Sequence, residues 1–354
     1  MSVVVRWAPS PTGRIHLGNA RPALLNWYFA RRNGGRYVLR MDDTDLARST
    51  REFADGIETD LSWLGIQPDV LVRQSERAAL YDAARERLIE AGRLYPCYET
   101  EEELDRKRAR ARLLGKPPIY DRAALGLSDE DRARLEAEGR TPHWRFRLDG
   151  RPVQFEDLIK GPQTVNTASM SDPVLIRADG SYLYTLPSVV DDIDLGITHI
   201  IRGEDHVSNT GTQIEIFEAL GATPPIFAHH NLLTDAQGQG FSKRLGSQSI
   251  TDFREEGYEP LAIAIVATLT GTSLPVELYD SLDAIAEKLD FSMISHGSAR
   301  FDPAELDTLN ARMLHAMPYE DAAPRLSKLG LEGEAMWTLL RENLVKFPDI
   351  LEWS

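Results

Sequence analysis

The sequence has a single cysteine, Cys97, among its 354 residues. An internal disulfide is therefore excluded, and any metal site would lack a second thiolate. Long hydrophobic runs are also missing: residues 261–269 form the longest apolar stretch of the C-terminal half, well short of the ~20 residues that a membrane span needs. The first residues show no basic region followed by a long apolar one, so no signal peptide is predicted. These absences predict a cytoplasmic protein without a membrane partner.

Basic residues are outnumbered by acidic ones, 40 Lys and Arg against 55 Asp and Glu, which gives a net charge of −15. Such a charge argues against a protein that coats nucleic acid by bulk attraction. It leaves open a nucleic-acid partner met through a local basic patch. A hydrophobic fraction of 42% with 8% aromatics is typical of a globular protein. At ~150 residues per domain, the length predicts two or three domains.

Strand-like and helix-like segments alternate along much of the chain. A β-branched run at residues 3–7 precedes a proline-rich loop, and helical spacing of apolar residues begins at Leu17 and ends before Gly34. Further strands are predicted at 37–41, 197–202 and 226–229, and further helices at 50–64, 77–92, 186–195 and 207–220. The alternation predicts an α/β fold with a Rossmann-like open parallel sheet.

The composition changes after Leu94. The residues that follow are dense in charge, including the basic segment 106–116, and strand-like pieces separated by turn residues come after them. Three regions are therefore predicted: a sheet domain at 1–94 plus 186–250, an inserted α+β domain at 95–185, and a mainly helical region from residue 251 onward.

A first motif, residues 9–19, lies where the first predicted strand meets the first helix. This is the ligand-binding end of an open α/β sheet, and a helix N-terminus offers N–H groups and a partial positive charge that suit phosphate. His16 adds a hydrogen-bond donor, and Gly18 lets a flat base or ribose approach the backbone. The alternative is a proline-rich turn with a half-exposed histidine at a helix start.

A second motif, residues 238–247, precedes the helical region. Its glycines make the loop mobile, Ser242 supplies a hydroxyl, and Lys243 and Arg244 supply cations. A lysine on such a loop suits a leaving pyrophosphate, whose growing charge must be neutralised in the transition state. The alternative is a solvated basic loop, which is a common feature of proteins.

The two motifs in this order resemble the two signatures of class I aminoacyl-tRNA synthetases. The first ends in His16-Leu17-Gly18-Asn19, and the second is centred on Phe241-Ser242-Lys243-Arg244. The flanking segments indicate which family within this class the sequence resembles. The sequence is similar to glutamyl-tRNA synthetase at Arg6, in the run from Pro9 to Gly13, and in the segments 40–45, 189–192 and 201–206.

The resemblance implies ligation of L-glutamate to tRNA through a glutamyl-adenylate, with release of pyrophosphate and AMP, for protein synthesis. It assigns catalysis to His16, Asn19 and Lys243, and glutamate binding to Arg6, Ser10, Asp42, Tyr184, Ser188 and Arg202. It assigns ATP binding to His16, Gly18, Asn19, Asp205, Leu233, Ser242, Lys243 and Arg244. It also implies that 95–185 binds the tRNA acceptor end, that 251–320 contacts the stem, and that 321–354 begins a helical anticodon-binding domain, truncated here.

Physical chemistry supports the choice of amino acid. Arg6 and Arg202 stand at the ends of predicted strands, and a guanidinium fork binds a carboxylate through two parallel hydrogen bonds. Asp42 follows another strand and can bind the substrate's α-ammonium group. For each arginine taken alone, a surface ion pair is the alternative.

The implied cofactors are ATP and Mg²⁺, the latter held mainly by phosphate oxygens. The implied partners are L-glutamate and tRNA(Glu), with tRNA(Gln) left open, and the protein is expected to be a monomer. Many members of the family carry zinc in the insertion. Here Cys97 is followed by Tyr98-Glu99-Thr100 without a second Cys-His cluster, so no zinc and no protein metal ligand are predicted.

The sequence also departs from the family pattern. Asp42 stands where Glu is common, Ser188 where Asn is frequent, and Gly240 where the second signature usually begins with Lys. Two other functions remain open: a paralogue that glutamylates a modified tRNA base, and a non-catalytic tRNA-binding homologue. The basic segment 106–116 is either a contact for tRNA phosphates or a solvated helix face.

Overall fold

Each predicted strand and helix of the first hundred residues follows from local sequence. The computed structural model describes residues 2–235, 237–240 and 248–353. The first strand is Val4–Trp7, fully buried, and the first helix, Leu17–Arg32, starts directly after His16. The helix ends at Asn33 and Gly34, where a φ of 59° suits a residue without a Cβ.

The elements are numbered in chain order. The strands are β1 (Val4–Trp7), β2 (Arg36–Met41), β3 (Val70–Arg73), β4 (Leu94–Cys97), β5 (His143–Phe146), β6 (Pro152–Asp157), β7 (Gly161–Asn166), β8 (Val174–Ile176), β9 (His199–Gly203), β10 (Ile226–His230), β11 (Leu233–Thr234) and β12 (Ala299–Arg300). The helices are α1 (Leu17–Arg32), α2 (Arg51–Trp63), α3 (Ala78–Glu90), α4 (Glu101–Leu113), α5 (Asp129–Ala137), α6 (Thr185–Asp194), α7 (Val207–Ala219), α8 (Ile250–Glu255), α9 (Pro260–Leu269), α10 (Leu282–Lys288), α11 (Pro303–Ala316), α12 (Tyr319–Lys328) and α13 (Glu334–Leu340).

The chain divides into two compact units. The first unit contains residues 1–72, 199–204 and 228–354, and the second contains 73–198 and 205–227. No described helix combines the length and apolar character that crossing a lipid bilayer would require.

The first unit is built on a parallel sheet in which β1 lies between β2 and β9. Arg6 of β1 is level with Val38 of β2, and Val5 is level with His199 of β9. The carboxyl ends of these strands therefore meet at one edge, where open α/β sheets bind their ligands. The predicted α/β fold with a Rossmann-like open parallel sheet is confirmed.

Helix α1 is fixed to the helical region by a buried arginine. Arg21 is completely buried and donates to the carbonyl oxygens of Ala267 at 2.8 Å and Thr270 at 3.1 Å. It also donates to the side chain of Asn231. Burial lowers the pKa of Arg21 to about 10, which reflects the cost of keeping a charge away from water. This network sets where α1 lies against α9.

The rest of the helical region has a small core of its own. Trp337 is completely buried among Leu314, Leu326 and Phe347, and its indole N–H donates to the carbonyl oxygen of Met317 at 3.0 Å. Burial of apolar area drives this packing, and the hydrogen bond removes the cost of burying the indole N–H. The predicted helical character from residue 251 onward is confirmed.

The second unit contains a three-stranded antiparallel sheet in the order β4, β5, β8. The hairpin of β6 and β7 does not join this sheet. Instead, Asp157 of β6 pairs with Phe227 of β10. This hairpin was not predicted from the sequence, because each of its strands contains a proline and few β-branched residues.

We predict that Arg21→Met lowers the free energy of unfolding by about 3 kcal/mol, because buried acceptors lose a charged donor. Urea unfolding followed by circular dichroism measures the loss. Arg31→Met in the same helix is the control: its ion pair with Asp283 is exposed on both sides, so the change should stay below about 1 kcal/mol. Equal losses in the two variants would contradict the anchoring role of Arg21.

Candidate active site

The start of α1 is shaped by the first motif itself. The backbone N–H of His16 donates to the side-chain oxygen of Asn19 at 3.2 Å, and the N–H groups of Asn19 and Ala20 donate to the carbonyl oxygen of His16. Gly18 is half-buried within this first turn. Asn19 thus orders the backbone at the end of the helix that carries the partial positive charge.

A distant segment of the chain contacts this helix start. The backbone N–H of Ile250 donates to the carbonyl oxygen of Ile15 at 2.9 Å, and His16 and Ser249 form an antiparallel bridge. Ser249 follows closely on the second motif, whose residues Ser242, Lys243 and Arg244 lie outside the described residues. The structure therefore brings the C-terminal flank of the second motif against the first motif.

Helix α8, which follows this contact, is held by a buried carboxylate of α2. Asp60 accepts hydrogen bonds from the Thr251 hydroxyl at 3.1 Å and from Arg254 at 3.0 Å. Burial raises the pKa of Asp60 although Arg254 opposes the shift. The position of α8 relative to α2 is thus fixed by hydrogen bonds away from water, which keeps the neighbouring contact in place.

Three arginines are buried on one face of the parallel sheet. Because side chains alternate along a strand, the register places Arg6, Arg40 and Arg202 on the same face of β1, β2 and β9. Their exposed fractions are 4%, 0% and 6%. Such burial is incompatible with the surface ion pair considered for Arg6 and Arg202, and it concentrates positive charge at the ligand-binding edge.

Two further side chains organise this cluster, and sequence reasoning did not assign either. Arg40 binds Asp42 through two hydrogen bonds, of 2.7 and 3.1 Å. Nε of Arg202 donates to Nε2 of His229 at 3.1 Å, so that nitrogen is unprotonated and the proton of the neutral ring is on Nδ1. Arg40 could have been found from its position two residues before Asp42. His229 could have been found only from its place at the end of a strand.

The remaining predicted residues of the first unit take different positions. Ser10 is exposed in the loop after β1, and this loop is pinned where the N–H of Asp42 donates to the carbonyl oxygen of Pro9 at 2.9 Å. Leu233 is buried in β11, level with Ala299 of β12.

The second unit carries the other three predicted residues. Tyr184 precedes α6 and is 39% exposed, whereas Ser188 is completely buried one turn later. Tyr184 lies 6.1 Å from the ring of His206, measured between ring centroids, and Asp205 is exposed beside it.

Helix α6 is held in the second unit by Asp191, which is completely buried. Its carboxylate accepts from Gln74 at 2.9 Å, from Arg77 at 2.7 Å and from the Tyr81 hydroxyl at 2.9 Å. A carboxylate with three donors is well compensated for burial. The network fixes the helix that presents Tyr184 and Ser188.

The insertion brings together three side chains that could bind a metal, although the sequence has no Cys-His cluster there. His143 is directly opposite Cys97 in the β4–β5 pair, and Glu99 joins them so that one ligand atom of each lies within 4.8 Å of the others. Sulfur, nitrogen and carboxylate oxygen are all zinc donors, so these residues fit the metal. Burial raises the pKa of the Cys97 thiol to about 11. In the absence of a metal, this thiol is neutral at pH 7 and a poor nucleophile.

A comparison with protein families defines the class. Residues 2–308 match the family model described as "tRNA synthetases class I (E and Q), catalytic domain". The match spans the parallel sheet, the insertion and the contact between Ile15 and Ile250. The chain therefore contains a class I tRNA synthetase catalytic domain.

Individual relatives narrow the assignment. "Glutamate--tRNA ligase 2" of Methylobacterium radiotolerans is 62% identical over 99% of this chain and 79% of its own length. "Glutamate--tRNA ligase 1" of Chelativorans sp. is 57% identical over 100% of this chain and 80% of its own length. A crystal structure of a glutamate tRNA ligase from Elizabethkingia meningosepticum, in complex with its amino acid, is 30% identical with a TM-score of 0.88, and covers 99% of this chain and 79% of that one. The chain belongs to the glutamate–tRNA ligase family.

We expect Asp42→Asn to lower the free energy of unfolding by about 3 kcal/mol, because it takes a carboxylate charge away from the buried Arg40 guanidinium. Guanidinium chloride unfolding measures the change. The matched control is Asp45→Asn, which breaks an exposed pair with Arg48 of the same 2.7 Å length and should cost less than about 1 kcal/mol. A loss at Asp42 no larger than at Asp45 would show that the buried pair does not stabilise the sheet edge.

Proposed function

We propose that this chain attaches L-glutamate to tRNA for protein synthesis, by way of a glutamyl-adenylate. The observation that carries the proposal is the contact of Ile15 and His16 with Ser249 and Ile250. It sets the residues that follow the second motif, which contains Lys243, against a helix N-terminus suited to phosphate. Membership of the glutamate–tRNA ligase family supports the same conclusion.

The buried arginines account for the choice of amino acid. The γ-carboxylate of glutamate would bind Arg6 and Arg202, whose guanidinium groups lie on one face of the sheet. In a site shielded from water, such an interaction is much stronger than at the surface. The α-ammonium group would bind Asp42, whose carboxylate Arg40 holds in place. Ser10, Tyr184 and Ser188 would complete the glutamate contacts.

ATP would bind along the start of α1. His16, Gly18 and Asn19 would face its phosphates and ribose, and Asp205, the backbone at Leu233, Ser242, Lys243 and Arg244 would complete the contacts. Mg²⁺, held mainly by phosphate oxygens, would neutralise part of their charge when bound. His16, Asn19 and Lys243 would act by positioning the phosphates and stabilising the developing charge, without a covalent enzyme intermediate.

The reaction then consists of two substitutions. An oxygen of the substrate α-carboxylate attacks the α-phosphorus, which forms the adenylate and releases pyrophosphate. The 2′-hydroxyl of the terminal adenosine of tRNA next attacks the activated carbonyl carbon, loses its proton, and releases AMP. The enzyme supplies orientation and electrostatic stabilisation to both steps.

The insertion is proposed to meet the tRNA acceptor end through α4. On this helix Lys107 and Arg108 are engaged with carboxylates, so the phosphate contacts are assigned to Arg106, Arg110 and Arg112 instead. The regions 251–320 and 321–354 are proposed to contact the stem and to begin an anticodon-binding domain. We further propose a cytoplasmic monomer that acts on tRNA(Glu), with tRNA(Gln) as a substrate to be tested.

The test is aminoacylation of total tRNA with labelled glutamate and labelled glutamine in parallel. Glutamate should be attached to tRNA(Glu) through an alkali-labile ester, and glutamine should not be attached, because its amide carries no charge for Arg6 and Arg202 to neutralise. Equal charging with glutamine would overturn the specificity. Glutamate located on an internal base by nuclease digestion of the labelled tRNA, instead of on the terminal adenosine, would favour the paralogue function, and no transfer of either amino acid would favour a tRNA-binding homologue.

Lys243→Ala should lower kcat for ATP–pyrophosphate exchange by about 10²-fold while KM for ATP changes far less, because the lysine would stabilise charge that develops in the transition state. Exchange is measured with glutamate and tRNA present. Arg36→Ala removes an exposed cation at the start of β2, outside the regions proposed to bind tRNA, and should leave both parameters unchanged. If Lys243→Ala behaves like this control, Lys243 is a surface charge only.

A further inference from the structure

The outer face of β11 and β12 carries an exposed cation beside the start of the second motif. Thr234 of β11 is level with Arg300 of β12 in the parallel register, and an antiparallel bridge on its other side makes it level with Gly240. Residues that are level in neighbouring strands extend their side chains to the same face. Arg300, Thr234 and the bare position at Gly240 therefore lie in one row on this face.

The opposite face of the same strands belongs to the core. Leu233 and Ala299, which are also level with each other, are buried, whereas Arg300 and Gly240 are exposed. In the described part of the chain no carboxylate pairs with Arg300. Its guanidinium extends toward the second motif, since a Cβ built on Gly238 would lie 3.8 Å from Nη2 of Arg300. The charge of Arg300 is therefore available to a ligand on this face.

A buried network fixes this face relative to α1. The side-chain oxygen of Asn231, two residues before β11, accepts from Arg21 of α1. The side-chain nitrogen of Asn231 donates to the Ser295 hydroxyl at 3.0 Å and to the carbonyl oxygen of Gly297 at 2.8 Å, in the segment that leads to β12. Strand β11 itself lies against α1. The backbone at Arg300 is thus held in a defined position relative to the helix whose N-terminus suits phosphate.

We propose that Arg300 is an ATP-binding residue that contacts the triphosphate. This inference rests on the proposed function, in which ATP extends from the start of α1 to the backbone at Leu233. A guanidinium can bind two phosphate oxygens at once. Neighbouring strands are ~4.8 Å apart, so the Cα atoms of Gly240 and Arg300 are separated by about 10 Å, and long cationic side chains at the two positions can reach the same phosphate. The family usually has a lysine where Gly240 stands, and in this chain β12 supplies the cation instead.

The test measures binding of radiolabelled ATP to the full chain by equilibrium dialysis with Mg²⁺ present. Arg300→Ala should raise the Kd for ATP about tenfold, because a charge-assisted contact with a phosphate is lost. The affinity for adenosine, measured by competition, should stay unchanged, since adenosine has no phosphate. A general loss of structure would instead weaken the binding of both ligands.

Two further variants make the result specific. Gly240→Lys in the Arg300→Ala background returns a cation to the same face and should recover most of the lost ATP affinity. Arg36→Ala removes an exposed arginine at the amino-terminal end of β2 and should leave the Kd for ATP unchanged. Far-ultraviolet circular dichroism checks that each variant is folded.

Three results would overturn the inference: an unchanged Kd for ATP in Arg300→Ala, an equal loss of affinity for ATP and adenosine, or no recovery with Gly240→Lys. Equal ATP binding by the unaltered chain and by Arg300→Ala would refute this inference alone. A chain that binds no ATP would refute the proposed function as well. The two failures are therefore distinguishable.

Discussion

The contact of Ile15 and His16 with Ser249 and Ile250 is the constraint on which the rest of the site depends. A helix N-terminus attracts phosphate on its own, but it carries no cationic side chain that could neutralise the charge developing on a leaving pyrophosphate. The hydrogen bond from Ile250 to Ile15 brings a second part of the chain to that position. Arg21 and Asp60 support the contact from either side, since one fixes α1 and the other fixes α8.

The parallel sheet buries positively charged side chains on one of its faces. Three arginines buried on one face would repel one another and lose hydration, which burial of an ion makes expensive. Asp42 offsets part of that cost through Arg40, and His229 accepts from Arg202. Under the proposed function, the γ-carboxylate of glutamate would add further compensation at Arg6 and Arg202.

Much of the fold could be predicted from the sequence because the parallel strands are short apolar runs bounded by glycine, proline or acidic residues. The β1–α1–β2 unit was predicted to within two residues at each end. Residues brought together by pairing were harder to predict. The β6–β7 hairpin contains two prolines and few β-branched residues. Arg40 contributes through its hydrogen bonds to Asp42. His229 contributes only because its strand brings it to Arg202. No local signal in the sequence marks such partners, since their roles arise from register.

Strand register also explains why the number of cysteines did not indicate the group of possible metal ligands in the insertion. A metal site recognised in sequence depends on short spacings, which keep ligands together whatever the fold. In an antiparallel pair, by contrast, any two residues can become neighbours if the strands are aligned, and Cys97 and His143 are so aligned. Glu99 adds a third donor from the same strand end. The distance along the chain between Cys97 and His143 therefore carries no information about their distance in space, and a lone cysteine becomes a candidate ligand only once its strand partner is known.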